Sequence, residues 1–287
     1  MTLLTSLTFM GCALLERVGT RDMIRRAPIT EYMKLSVLTM AGMYFTNWSL
    51  TYINYPMRIL SKSSKVIPVM LVGVLLYGKY YTRLEYLSAF VLALGITLFT
   101  LGDAYDSPRF DVTGLLLISI GVFADAMTAN FEEARLFGQY HCSQAEVLLF
   151  SNAFSSIWTL ITVISSNEFF DAVEHSKEHP EVITSTVMFA TLGYSSSIFI
   201  LLLIKRFGAT NAEIVKSCRK VLSIVISFMA FGKTPGNLHW IGGAFFTLSV
   251  ILGVHIKTLK MAAKREARKN KKDGVEEEEE YIGGNAA

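Results

Sequence analysis

Six basic side chains interrupt stretches of sequence that are otherwise apolar, and their spacing groups them. Arg58, Lys62 and Lys65 stand at i, i+4 and i+7, which on an α-helix is one face. Lys216, Arg219 and Lys220 stand at i, i+3 and i+4 in a second stretch. A charge at the centre of a bilayer costs at least about 2.5–3.5 kcal/mol even on the insertion scale. Six such costs in two places argue for a water-filled cavity that holds an anion. Arg219 offers a planar fork to a phosphate, and the lysines act as compact point charges. In a low-dielectric cavity that attraction is several times stronger than in water. Two plainer roles compete: Arg58 lies near the start of its stretch and can snorkel, and Glu213 can pair with Lys216 or Lys220 as internal glue.

Carboxylates supply the second kind of chemistry. Asp125 lies mid-stretch and shares a helical face with Glu132 at i, i+7, while Asn130 and Glu133 share another at i, i+3. An intramembrane carboxylate is read as functional by default, so Asp125, Asn130 and Glu133 join the substrate-binding candidates. Pairing of Asp125 with one of the six bases is the alternative. Other patterns carry little. Gly232-Lys233-Thr234 resembles the end of a phosphate loop, but the required earlier glycine is Ser227. His175 and His179 have ligand spacing without a third ligand, and Asn47-Trp48-Ser49, a glycosylation pattern, falls inside an apolar stretch. Cys12, Cys142 and Cys218 are scattered and odd in number. No metal, cofactor or catalytic residue is expected.

The elements that must position these residues are membrane spans. Of 287 residues 52% are apolar and 18% charged, against about 25% charged in a soluble domain, and the mean hydropathy is +0.40. Nine apolar blocks of roughly 20 residues, near 1–16, 33–52, 56–78, 84–102, 112–136, 145–166, 184–204, 210–232 and 238–256, each suffice to cross a core about 30 Å thick. Short links between them predict an all-α polytopic bundle. A soluble enzyme and a nucleic-acid binder are excluded, and the net charge of +3 carries no field for nucleic acid. Met1 to Glu16 lacks the basic start and cleavage site of a signal peptide.

Loop charge sets the orientation. One side, including the tail after the last span, carries eighteen Lys and Arg; the other carries Arg109, Lys177 and Lys233 alone. The basic side, with the C-terminus, is therefore expected in the cytosol. Nine spans then put Met1 on the far side, which suggests one further helix upstream. The acidic segment Ser165 to Val182 is expected on the luminal side, and Lys257 to Lys272 followed by Glu276 to Glu280 reads as a solvated, disordered tail.

The two basic clusters also repeat. Lys62-Ser63-Ser64-Lys65 matches Lys216-Ser217-Cys218-Arg219 at an offset of 154 residues, and Gly78-Lys79 maps onto Gly232-Lys233. Loop charge places Lys79 and Lys233 on opposite sides, so the chain is expected to hold an inverted repeat with its substrate site near the midplane. The division is 1–102 for the first half, 103–256 for the second and 257–287 for the tail.

The string Tyr55-Pro56 with Leu60-Ser-Lys-Ser-Ser-Lys-Val-Ile-Pro-Val-Met70 resembles the fourth-helix signature of nucleotide-sugar transporters. The likeness is greatest to the branch that carries 3′-phosphoadenosine 5′-phosphosulfate (PAPS) and its UDP-sugar relatives. It continues through Glu85-Tyr-Leu-Ser-Ala89, Ala124-Asp125 with Asn130 and Glu133, Phe207-Gly208-Ala209 and Arg219-Lys220, nearly the whole chain. The resemblance implies ten helices in two inverted halves, of which this chain holds nine. It implies exchange of a cytosolic activated nucleotide, PAPS first and UDP-galactose or UDP-glucose as the alternative, for a nucleotide product from the Golgi lumen, or that of the endoplasmic reticulum. Lys62, Lys65, Arg219 and Lys220 would contact the phosphates. Ser217-Cys218 and the additional Lys216 depart from the Thr-Thr that many relatives carry there. The bilayer is an expected partner and a homo-oligomer an open one. A non-transporting scaffold or receptor of the same fold is the reading from another class.

Overall fold

The computed structural model of the chain describes residues 2–103, 111–165, 180–231, 236–256 and 258–259. Among them there is no strand, and ten α-helices follow one another. They are α1 (Thr2–Thr20), α2 (Ile29–Trp48), α3 (Tyr55–Ser63), α4 (Val66–Tyr77), α5 (Arg83–Asp103), α6 (Val112–Phe131), α7 (Gln144–Ser165), α8 (Pro180–Phe207), α9 (Ala209–Phe231) and α10 (Asn237–Ile256). A 3₁₀ turn, Ser49–Thr51, follows α2, and a π-helix, Glu132–Gln139, prolongs α6. Most of the acidic 165–182 segment, Gly232-Lys233 and nearly all of the tail lie outside the described residues.

The expected blocks appear as helices, with one instructive difference. The block at 56–78 is two helices, because Pro68 has no N–H to offer the carbonyl of Ser64 and its ring crowds that carbonyl. Ser64 O instead accepts from Ile67 N at 3.1 Å, and the chain turns at Ser64 and Lys65 before α4 begins. Asn54 caps α3 by accepting from Met57 N. Gly78, at φ +61, ends α4 in a left-handed turn closed by Lys79 N on Gly73 O at 3.0 Å.

The outside of the bundle is apolar. Four helical stretches, Val112–Gln139, Gln144–Ile164, Glu181–Phe207 and Asn237–Ile256, are long and apolar enough to cross a bilayer. Along α8, Met188, Phe189, Leu192 and Phe199 are exposed. A water-soluble surface does not carry such a belt; lipid covers it. The protein is a multi-pass membrane protein.

Helix pairing is regular. α1 lies against α7, α2 against α6, and α4 against α6 and α9, while α1 also meets α8 as α2 meets α7. α5 and α10 approach through small residues: Ser88 Oγ donates to Ser249 O at 3.2 Å, and Ser249 Oγ returns to Ser88 O at 2.8 Å. At the end of the bundle whose connections carry Lys79, Arg135 and Lys205, buried Glu146 accepts from Arg26 N at 2.6 Å and Tyr32 OH at 2.5 Å. Lys205 Nζ donates to Cys142 O at 2.7 Å. These bonds tie the α1–α2 link, α2 and the end of α8 to the entry of α7.

Gly95 shows how closely α5 and α10 pack: a Cβ there would stand 2.6 Å from Phe246 N and 3.0 Å from Gly242 O. Both are backbone atoms that cannot swing aside. Gly95→Ala is expected to destabilise the protein by about 1–3 kcal/mol through overpacking. Gly11→Ala, where a Cβ meets nothing within 4 Å, should be neutral or stabilising. Thermal unfolding of the two detergent-solubilised variants beside the wild type measures this.

Candidate functional site

The break between α3 and α4 brings the first cluster into the bundle. Lys65 stands one residue before α4, whose twelve residues run to Gly78 at the basic end. At 1.5 Å per residue that is roughly 18 Å, close to mid-depth of a core about 30 Å thick. Lys65 Nζ lies 3.3 Å from Glu213 Oε1 and 3.7 Å from Asp125 Oδ2, and Lys62 Nζ lies 3.9 Å from the same Asp125 oxygen. Lys216 Nζ donates to Glu213 Oε1 at 2.6 Å. Lys220 Nζ reaches across to the carbonyl of Lys62 at 3.2 Å. α3, α4, α6 and α9 thus converge on one polar centre.

The sequence pairs Glu213 with a neighbour on its own helix; the structure adds Lys65 from the turn before α4. Glu132, at the start of the π-helix, lies in the electrostatic field of Lys216 and Lys65. Arg58 Nη2 donates to Asn47 Oδ1 at 2.9 Å, and its charge also acts on Lys62. Arg219 is exposed and joins none of the ion pairs among the described residues.

Asn130 and Glu133 belong to a separate constellation at the basic end. The left-handed turn at Gly78 directs Lys79 back onto α6, where Nζ donates to Asn130 Oδ1 at 2.9 Å and to Glu133 Oε2 at 2.5 Å. The same Glu133 oxygen accepts from Ala209 N at the first residue of α9, a carboxylate at the positive end of a helix. Asn130 Nδ2 donates to Val69 O at 2.9 Å. Tyr81 OH and Thr210 Oγ1 meet at 2.8 Å, and burial pushes the Tyr81 phenol above its ordinary pKa. These contacts latch the ends of α4, α6 and α9 together. The role of Lys79 was hidden in the sequence because it read as a loop charge. Its one signal was the Gly-Lys pair that recurs at the 154-residue offset.

The profile of the UAA transporter family matches residues 1–260. The chain belongs to that family. It is a transporter-family protein and not an enzyme. It is 34% identical over 248 residues to "Adenosine 3'-phospho 5'-phosphosulfate transporter 2" of Mus musculus, covering 86% of this chain and 67% of the relative. The Caenorhabditis briggsae protein of the same name is 33% identical over 259 residues, covering 90% and 71%. "UDP-galactose/UDP-glucose transporter 4" of Arabidopsis thaliana is 33% identical over 242 residues, covering 84% and 69%. A solved structure titled only "Crystal structure of protein" superposes with a TM-score of 0.64 at 17% identity, over 88% of this chain and 87% of that one; it shows the same fold.

Gly208, the single residue between α8 and α9, has φ +87, and a Cβ there would stand 3.0 Å from Glu133 Oε1. Gly208→Ala therefore strains the backbone, by about 1–2 kcal/mol, and presses on the carboxylate that caps α9. The expected outcome is a lower melting temperature than either wild type or the Gly208→Asn variant, because Asn tolerates left-handed backbone better. An unchanged melting temperature for Gly208→Ala would show that the turn is not held by this fit.

Proposed function

We propose that the chain carries an activated nucleotide across an internal membrane, with PAPS as its first substrate, in exchange for a nucleotide product. The observation that carries this reading is the mid-depth group of Lys62, Lys65, Lys216 and Lys220, held between two parts of the chain. A multiply charged phosphate needs several fixed cations in a cavity sheltered from water, and such a cavity would fall between the inverted halves 1–102 and 103–256. Arg219, exposed beside Lys220, offers its fork to a ligand without first leaving a carboxylate. The named relatives support this substrate class. The Arabidopsis relative supports UDP-galactose or UDP-glucose as the second reading. The basic end, on the loop charges, faces the cytosol, and the Golgi is the proposed membrane.

In the same reading the Lys79–Glu133–Ala209 latch closes the cytosolic mouth, and its opening admits substrate. Glu133→Gln leaves Lys79 without its charged partner and weakens the bond to Ala209 N, so the mouth should open more often. A Thr210→Cys probe is expected to react several-fold faster with a cytosolic-side maleimide in the Glu133→Gln background than in its absence. Equal rates would remove the latch from the transport cycle.

Purified protein in vesicles preloaded with adenosine 3′,5′-bisphosphate tests the main proposal. Saturable uptake of PAPS, exceeding that of UDP-galactose and UDP-glucose, is the expected result. UDP-sugar uptake alone would select the second reading, and saturable binding with no exchange would favour a receptor. Lys65→Gln should weaken binding roughly 30–150-fold, the equivalent of about 2–3 kcal/mol for a hydrogen bond to a charged group. Arg58→Gln, engaged with Asn47, should weaken it least.

A further inference from the structure

Glu213 is buried, with a side chain 7% exposed, and one of its oxygens sits between two lysines contributed by different parts of the chain. Lys65 lies 3.3 Å from Oε1 on the α3–α4 side and Lys216 lies 2.6 Å from it on α9. Lys220 also stands in the field of this carboxylate. Glu213, Lys216 and Lys220 occupy one face of α9 at i, i+3 and i+7, so the carboxylate cannot move off the lysine face without a change of its own side-chain rotamer. An anionic oxygen shared by two ammonium groups is the arrangement a bound phosphate oxygen would make. The lysine cluster already holds an anion of its own.

We infer that Glu213 is an internal competitor for the phosphate site. It neutralises Lys65 and Lys216 when no ligand is bound, and it must release both before a phosphate can take them. The inference rests on the phosphate-clamp reading above and adds a determinant of affinity to it. Phosphate oxygens must replace both lysine contacts of the carboxylate, and a ligand with phosphates at two positions can engage Lys62 or Lys220 as well. Asp125 is less suited to this part, since it approaches Lys62 and Lys65 only at 3.9 and 3.7 Å.

The test compares dissociation constants of adenosine 5′-monophosphate and adenosine 3′,5′-bisphosphate for the wild type, Glu213→Gln, Glu213→Asp and Lys65→Gln. Removing a competitor that holds the site nine-tenths of the time should tighten binding about ten-fold. Glu213→Gln is therefore expected to bind both nucleotides more tightly, by a similar factor, since each must displace the same carboxylate to reach Lys65 and Lys216. Glu213→Asp, one methylene shorter, should fall between Gln and wild type. If Glu213→Gln binds either nucleotide no more tightly, the carboxylate is a positioning or structural group and the inference is overturned. If Lys65→Gln binds with wild-type affinity, the phosphate clamp itself fails, which is a distinct result. Should Glu213→Gln not fold, the same gain is expected on adding it to Lys216→Gln, where no new unpaired lysine arises on α9. Absence of the gain there overturns the inference as well.

Discussion

Each ammonium group held near mid-depth needs an oxygen within reach, because removing a charge from water is costly unless it is paired. The bundle meets that need from α6, from Glu213 on α9 and from the carbonyl of Lys62. On α6, Asp125 faces Lys62 and Lys65, and at a second station, five and eight residues further along, Asn130 and Glu133 face Lys79. At 1.5 Å per residue that is roughly 8–12 Å along one rod. The conversion from α to π geometry falls at Glu132, within the second station, and π segments in α-helices are frequent at functional sites. α6 therefore couples the central lysines to the latch, and α9 does the same through Lys216, Lys220 and its Glu133-capped first residue. A shift of either helix is felt at both stations.

The glycines that look incidental in the sequence are what allow this coupling. Gly42 and Gly121 let α2 lie against α6: a Cβ at Gly121 would stand 2.6 Å from Thr46 Oγ1. Gly78 supplies the left-handed residue that turns Lys79 inward, and Gly208 supplies the one that lets α9 begin directly beside Glu133. Close backbone approach is the usual way helices associate in lipid, where no hydrophobic difference drives them together. The polar bonds at the ends of α4, α6 and α9 then fix a register that packing alone would leave loose.

Much of the architecture was legible because two strong signals are one-dimensional. Twenty-residue apolar runs mark helices whatever their partners, and a lysine inside such a run marks itself. What the chain could not disclose in one dimension was pairing. Lys65 meets Glu213, 148 residues away, and no periodicity within α3 or α9 connects them. Arg219 is basic like Lys65 and stands at the equivalent position, yet it is exposed. Glu133, expected among the substrate residues, bonds Lys79 and the first residue of α9, partners that its spacing from Asn130 does not disclose. The Pro68 break was readable in principle, since a proline acts on the carbonyl four residues earlier; the even i, i+4, i+7 spacing hid it.

The difference between Lys65 and Arg219 has a covalent origin. At the 154-residue offset Pro68 corresponds to Leu222, which keeps its N–H, so α9 continues through the position where α3 ends. The first copy therefore turns at Ser64 and Lys65, sends Lys65 into the centre and frees the carbonyl of Lys62 for Lys220. The second copy holds Arg219 on an unbroken helix and brings Lys216 inward in its stead. Glu213 likewise has no carboxylate counterpart, because the equivalent position is Ile59. One copy supplies a broken backbone and a free carbonyl, and the other supplies a continuous helix with its own anion. A repeat with two identical halves would have put like charges face to face. The divergence at Pro68 and Glu213 is what turns that repulsion into a bonded centre.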